Sequence, residues 1–304
     1  VSSLALILGP AVISLGLGVR RIRMRATLIL VSTALISTVL AYLCAASRST
    51  APFLGGYLQV DATSGLFLAV INPIFFGISV YVWNRVSTTP VLQDGIGRFV
   101  ALSLTLLAAS NAALIANHLL VLWVALEITT LAAAPLVIRR GVPASRLASW
   151  RYLLFSSVAL ALVMLGFICL TRGIELGGQT PTFFLDRLEA VCAASANSWG
   201  KLGLALVILG LGTKLGLAPM YSWLPETYDE APPAVTALLG AIQFNVVLVA
   251  LLRVVHVFRP VHPGLITLEL VAMGLVSMLV STFSIIATRN MKRLIAHASI
   301  NHAG

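Results

Sequence analysis

Two ionisable residues stand where water does not normally reach. Glu127 lies near the middle of the apolar run LLVLWVALEITTLAAAPLV (119–137), with no other charge within eight residues on either side. Lys214 lies inside a second run, beside Gly210, Gly212 and Gly216 and ahead of Pro219. An ionisable group near the centre of a bilayer costs about 2.5–3.5 kcal/mol on insertion scales, so it normally faces a polar interior and a partner. Burial disfavours the charged form of a carboxylate or an amine, and bringing the two together restores both charges. Moving such partners apart then favours proton uptake by the acid and proton loss from the amine, which is the chemistry of a site that loads and releases protons. A static ion pair joining two helices is the competing reading.

The backbone around Lys214 bears on the choice. Gly212, Gly216 and Pro219 predict a broken helix, because Pro219 has no N–H for the carbonyl of Leu215 and a carbonyl freed at that depth needs water, another helix or a polar side chain. Glycines that merely permit close helix packing are the alternative. Further along, Asn245, Val249, Leu252 and His256 share one helical face. Histidine is the side chain suited to proton exchange near neutral pH, so His256, near the outer end, is either a proton exit or an interfacial group, while Asn245 offers a polar point on the same path. Gly274, Ser277, Ser281, Ser284 and Thr288 form a small-residue stripe read as helix packing. The polar loop LPETYDE (224–230), with Glu226, Asp229 and Glu230, reads as solvated surface ahead of a proton-attracting patch.

The elements that must position these residues are membrane spans. A chain of 304 residues with 59% hydrophobic and 10% charged residues has too few polar groups to coat a soluble globule, and its mean hydropathy is +1.00. Apolar runs of about 20 residues predict an all-α integral membrane protein with nine spans near 2–19, 26–46, 62–84, 99–116, 119–138, 152–171, 202–220, 233–254 and 265–288. Residues 183–198 predict a surface helix. Residues 291–304 read as the start of a tenth span, so the chain is expected to cover the N-terminal part of a longer architecture. The net charge of +10 falls in short clusters between spans, which argues topology and not nucleic-acid binding. Thirteen Lys and Arg residues follow odd-numbered spans and six follow even-numbered ones, so the N-terminus is expected outside and the segment from Arg289 inside. Cys44, Cys169 and Cys192 are far apart and beside no histidine, which suggests neither a metal site nor a disulfide.

Three stretches together resemble the antiporter-like, proton-translocating subunits of respiratory complex I and related membrane-bound hydrogenases, and most of all the F component of hydrogenase 4 type complexes. They are HLLVLWVALEITTLAAAPLV (118–137), KLGLAPMYSWLPETYDEAPPAVTALLGA (214–241) and RNMKRLIAHASINHAG (289–304), with YLQVDATSGLFLAVI (57–71) as a weaker fourth. The resemblance implies about fourteen transmembrane helices containing two inverted five-helix repeats. Residues 1–98 would then hold helices one to three, 99–260 the first repeat, and 261–304 the start of the second. It also implies that Glu127 and Lys214 form the core of a proton path. Asn245 stands where many complex I members carry a lysine, and the hydrogenase-type members look similar in having asparagine there.

The resulting expectation is a proton-translocating subunit in a bacterial-type cytoplasmic membrane. Its partners would be the lipid bilayer, other membrane subunits and a soluble redox or other peripheral arm, with no cofactor in this chain. Rival readings are a subunit of a multisubunit sodium/proton antiporter, a membrane subunit of an inorganic-carbon uptake complex, and a non-conducting scaffold.

Overall fold

Hydrophobic segments without alternation fold as helices because lipid offers no partner for an unpaired backbone N–H or C=O. The computed structural model describes residues 2–19, 25–46, 52–88 and 95–304, and among them it is helical with no β-strand beyond isolated bridges. The helices are α1 (Ser2–Val19), α2 (Arg25–Ala46), α3 (Ala62–Thr88), α4 (Ile96–Leu114), α5 (Leu119–Val137), α6 (Pro143–Leu176), α7 (Leu185–Val191), α8 (Ser198–Leu215), α9 (Trp223–Glu230), α10 (Pro233–Ala237), α11 (Phe244–Phe258), α12 (Pro263–Ala287) and α13 (Met291–Ala303). Arg20, Arg21, Arg23 and Arg48, which enter the orientation count, lie outside the described residues.

Seven of these segments are long and apolar enough to cross a membrane: α2 from Ala26, α3, α4, α5, α6, the stretch Pro233–Phe258, and α12. Expected spans one and seven coincide with α1 and α8, which are helical but not among the seven. The sixth expected span, 152–171, is the middle of α6, whose 34 residues make a rod of about 51 Å against a hydrocarbon core of roughly 30 Å. Arg146 and Arg151 at one end and Arg172 and Glu175 at the other occupy the surplus turns. The surface helix expected over 183–198 is shorter: α7 gives way to a 3₁₀ turn at Cys192–Ser195, and α8 starts at Ser198 with the Asn197 side chain accepting from the Gly200 N–H at 3.0 Å. An asparagine cap outcompetes continuation of the amphipathic pattern because it satisfies an otherwise orphaned N–H.

The chain divides into two compact units, the first comprising residues 1–116, 124–136 and 232–246, the second 117–123, 137–231 and 247–304. Within the first, a buried polar ladder joins four helices. Ser37 Oγ donates to Asn72 Oδ1 at 2.7 Å, Asn72 Nδ2 donates to Asn111 Oδ1 at 3.1 Å, and Asn111 Nδ2 reaches the carbonyl of Leu6 at 3.2 Å. Both asparagines are fully buried, so each amide needs its partner.

Within the second unit α6 and α8 pack backbone to backbone. A Cβ on Gly203 would lie 2.7 Å from the Gly166 carbonyl, and one on Gly210 would lie 2.5 Å from that of Ala159. These small residues, a heptad apart on each helix, therefore set the approach. The same unit clamps the entry to α5: the Leu119 N–H donates to Phe183 O at 2.8 Å and the Leu185 N–H to Asn117 O at 2.9 Å. His118 packs edge-on against the Phe184 ring with centroids 4.7 Å apart.

Two outcomes follow from these contacts. Asn72→Leu leaves Ser37 and Asn111 without their partner and should cost about 1–3 kcal/mol, visible as a lowered thermal midpoint in detergent. Burial pushes the His118 imidazole below its ordinary value of 6.5. Its neutral form is therefore favoured by folding, so that contribution is fully present above about pH 6.5 and is lost as pH falls toward the depressed value. The thermal midpoint should drop across that window, and His118→Phe should flatten the drop.

Candidate functional site

Each ionisable residue singled out in the sequence has a definite local setting. In the first unit Glu127 sits on α5, half-buried, with Oε2 enclosed. The next turn carries two fully buried threonines whose hydroxyls are used on the backbone, Thr129 Oγ1 at 2.7 Å and Thr130 Oγ1 at 3.2 Å from the Leu126 carbonyl. The same unit contains a π-helical segment, Leu238–Gln243, inside the eighth expected span. Asn245 follows it, and its Nδ2 donates to Ala241 O at 2.6 Å, tying its side chain to the wider turn. Gln243, in that turn and buried, is a polar residue that the helical spacing of the segment does not single out. A one-turn π bulge has no clear period of its own, so only the unusual polar pair two residues apart could have signalled it.

In the second unit Lys214 occupies the last turn of α8 and is 4% exposed. The helix stops one residue later because Gly216 adopts φ +85°, the left-handed region. The Gly216 N–H donates to Thr213 O at 3.0 Å and the Leu217 N–H to Gly212 O at 2.9 Å, the paired bonds of a Schellman stop. The break is therefore set by Gly216 ahead of Pro219, whose peptide bond with Ala218 is cis. Gly212 lies against the Met273 methyl, leaving no room there for a Cβ.

Polar groups from neighbouring helices complete the break. The Ala218 N–H donates to Ser277 Oγ at 2.8 Å, and the Trp223 indole donates to Thr213 O at 3.1 Å while its ring lies 5.4 Å from that of Tyr152. Ser277 thus binds the interrupted backbone, a role beyond the helix packing expected of its stripe. Ser281 of that stripe meets Asn301 Oδ1 at 3.2 Å.

The acidic stretch 224–230 differs from the solvated loop expected. It is the helix α9, and each of its carboxylates is paired. Glu226 meets Arg151 of α6, Glu230 meets Arg139 at 2.7 Å, and Asp229 meets Arg293 of α13 at 2.8 Å. Asn290 donates to Asp229 at 2.8 Å, and Lys292 Nζ donates to the carbonyls of Asp229 and Ala231 at 2.9 and 3.1 Å. Individually such exposed pairs contribute about 0–1 kcal/mol, but a network fixes position. Here it holds the helix that follows the break. His256 on α11 is exposed. Among the described residues no cluster of His, Cys, Asp and Glu has metal-binding geometry.

Comparison with known proteins places these features in context. The family described as NADH:quinone oxidoreductase/Mrp antiporter, TM matches residues 116–304. The hydrogenase-4 component F homolog of Methylacidiphilum infernorum is 28% identical over 258 residues, covering 82% of this chain and 54% of that protein. NADH-quinone oxidoreductase subunit N of Mycobacterium tuberculosis is 29% identical over 290 residues, covering 92% and 52%. The chain thus spans about half the length of these relatives. Its fold is shared with a chain of the archaeal membrane-bound sulfane sulfur reductase, with TM-score 0.86 and 22% identity over 99% of this chain and 63% of the other. A chain of the Mrp complex from a Dietzia species gives TM-score 0.79 and 21% identity, covering 99% and 57%.

The stop at Gly216 carries its own test. Gly216→Ala forces a Cβ into the left-handed region at about 1–2 kcal/mol and drives it against Leu224. Its thermal midpoint should fall, whereas Gly264→Ala, where a Cβ meets open space, should leave the midpoint nearly unchanged.

Proposed function

The chain belongs to the NADH:quinone oxidoreductase/Mrp antiporter transmembrane family, and from that premise we propose that it passes protons through the membrane as one subunit of a larger oxidoreductase complex. Glu127 and Lys214 bind and release the protons in this reading, acting together as the switchable acid and amine of the path. Asn245 and the exposed His256 are lesser points on it.

The observation that supports the reading best is the setting of Lys214. An ammonium group enclosed to 4% exposure, in the last turn of a helix that stops one residue later, depends on the polar groups around it. A shift of those groups changes how tightly it holds its proton. The Gly216 stop, with Ser277 accepting from the Ala218 N–H and Trp223 donating to the Thr213 carbonyl, sets such polar groups next to the lysine in the chain.

Redox chemistry belongs to other subunits in this proposal, in a soluble peripheral arm, with neighbouring membrane subunits beside this chain. The arrangement is that of a cytoplasmic membrane protein with its N-terminus outside, as the distribution of Lys and Arg suggests. A sodium/proton antiporter subunit is the second reading, favoured by a family description that embraces both classes. Sodium-dependent proton exchange in vesicles without an electron donor would select it.

Lys214→Met and Glu127→Gln, each in the assembled complex reconstituted in vesicles, should remove most donor-driven proton flux while the subunits still co-purify. Wild-type flux in either variant would overturn the proposal.

A further inference from the structure

α12 carries a single charged residue in its 25 residues, Glu269. With α12 counted as a span from Pro263 to Ala287, Glu269 lies about 10 Å from its start, inside the hydrocarbon by roughly a turn. It is half-buried, and its Oε2 is enclosed with no hydrogen-bond partner among the described residues. An acid in that position faces a polar path by default, since exposing it to lipid is costly.

Its direction follows from the helix it decorates. Glu269 shares a face with buried Ile266, Met273 and Ser277, at spacings of three and four. That face meets α8: Met273 touches Gly212, and Ser277 holds the N–H of Ala218 just past the break. At the other end of the pair, His262 caps α12 and its Nε2 stands 3.0 Å from the Ser195 carbonyl, three residues before α8 begins. α8 and α12 therefore start together and run side by side in the same direction. The two contacts set Glu269 level with Leu204 to Ile208, and Lys214 lies about 9–15 Å deeper along α8.

We infer that Glu269 is a proton-binding residue, a station on the α8 side of α12 between the end marked by His262 and the Lys214 break. This rests on the proton-conducting reading above and adds a residue to it. The carboxylate takes a proton on one oxygen and passes that proton to water, which carries it on toward a neutral Lys214 amine, and Glu269 returns to the carboxylate. The other titratable groups on the two helices packed against α12 are Lys201 on α8 and Lys292, Arg293, His297 and His302 on α13.

The test uses the assembled complex in vesicles, comparing Glu269→Gln, Glu269→Asp and Lys214→Met for donor-driven proton flux and for protonated-carboxyl bands in pH-difference infrared spectra. Glu269→Gln should lose most of the flux and one carboxyl band, while Glu269→Asp, still an acid, should keep part of the flux and shift the band. Wild-type flux in Glu269→Gln, or an unaltered set of bands, would overturn the assignment. Lys214→Met shows how far the failure reaches: flux lost there leaves the proton-conducting reading standing, and flux retained there removes that reading as well.

Discussion

One backbone conformation carries the rest of the second unit. Gly216 turns left-handed, α8 ends, and the N–H groups of Gly216 and Leu217 fold back onto the carbonyls of Thr213 and Gly212. A helix that continued through this point would have buried Lys214 in mid-rod with every backbone group satisfied. The stop instead places the lysine one turn from backbone groups that must find partners elsewhere, and Ser277 and Trp223 provide them. The following helix α9 is held by guanidinium groups from Arg139, Arg151 and Arg293. Interruption, lysine and anchored acidic turn thus form one mechanical piece, because each removes a degree of freedom that the break would otherwise leave open.

Polar groups inside the spans fall into two kinds, and the difference is physical. Asn72 and Asn111 give their amide hydrogens to neighbours and draw four helices together. Thr129, Thr130 and Asn245 return their donors to their own helix. These groups are satisfied neutral dipoles, whose burial is nearly neutral in free energy once paired. Glu127, Lys214 and Glu269 are ionisable, and their enclosure is not offset by dipole pairing alone. This physical difference separates the residues that hold the bundle from those to which the proposal assigns protons.

Much of this was legible in the chain. Lys214 and Glu127 stood out because a charge inside an apolar run has few structural excuses, and Gly216 and Pro219 marked the interruption. Glu269 drew no notice although it falls within the expected span 265–288, because a lone acid near a span end is told from a surface group only by what packs against it. The pairing of Glu226, Asp229 and Glu230 was equally hidden, because their partners lie up to 91 residues away in sequence and charge alone cannot distinguish a solvated acid from a bridged one.

The sequence by itself determined the membrane class, the helical character and the presence of two ionisable groups inside apolar runs, because hydrophobic run length and isolated charge are local properties. It also flagged an interruption near Lys214 through Pro219, while the left-handed stop at Gly216 came from the structure. Only the tertiary structure decided that Ser277 and Trp223 satisfy the broken backbone, that α8 and α6 touch through Gly203 and Gly166, and that Met273 and Ser277 of α12 meet α8 and the break. Those outcomes depend on which helices become neighbours and in what register. That is a property of packing among distant segments, for which periodicity along one helix carries no information.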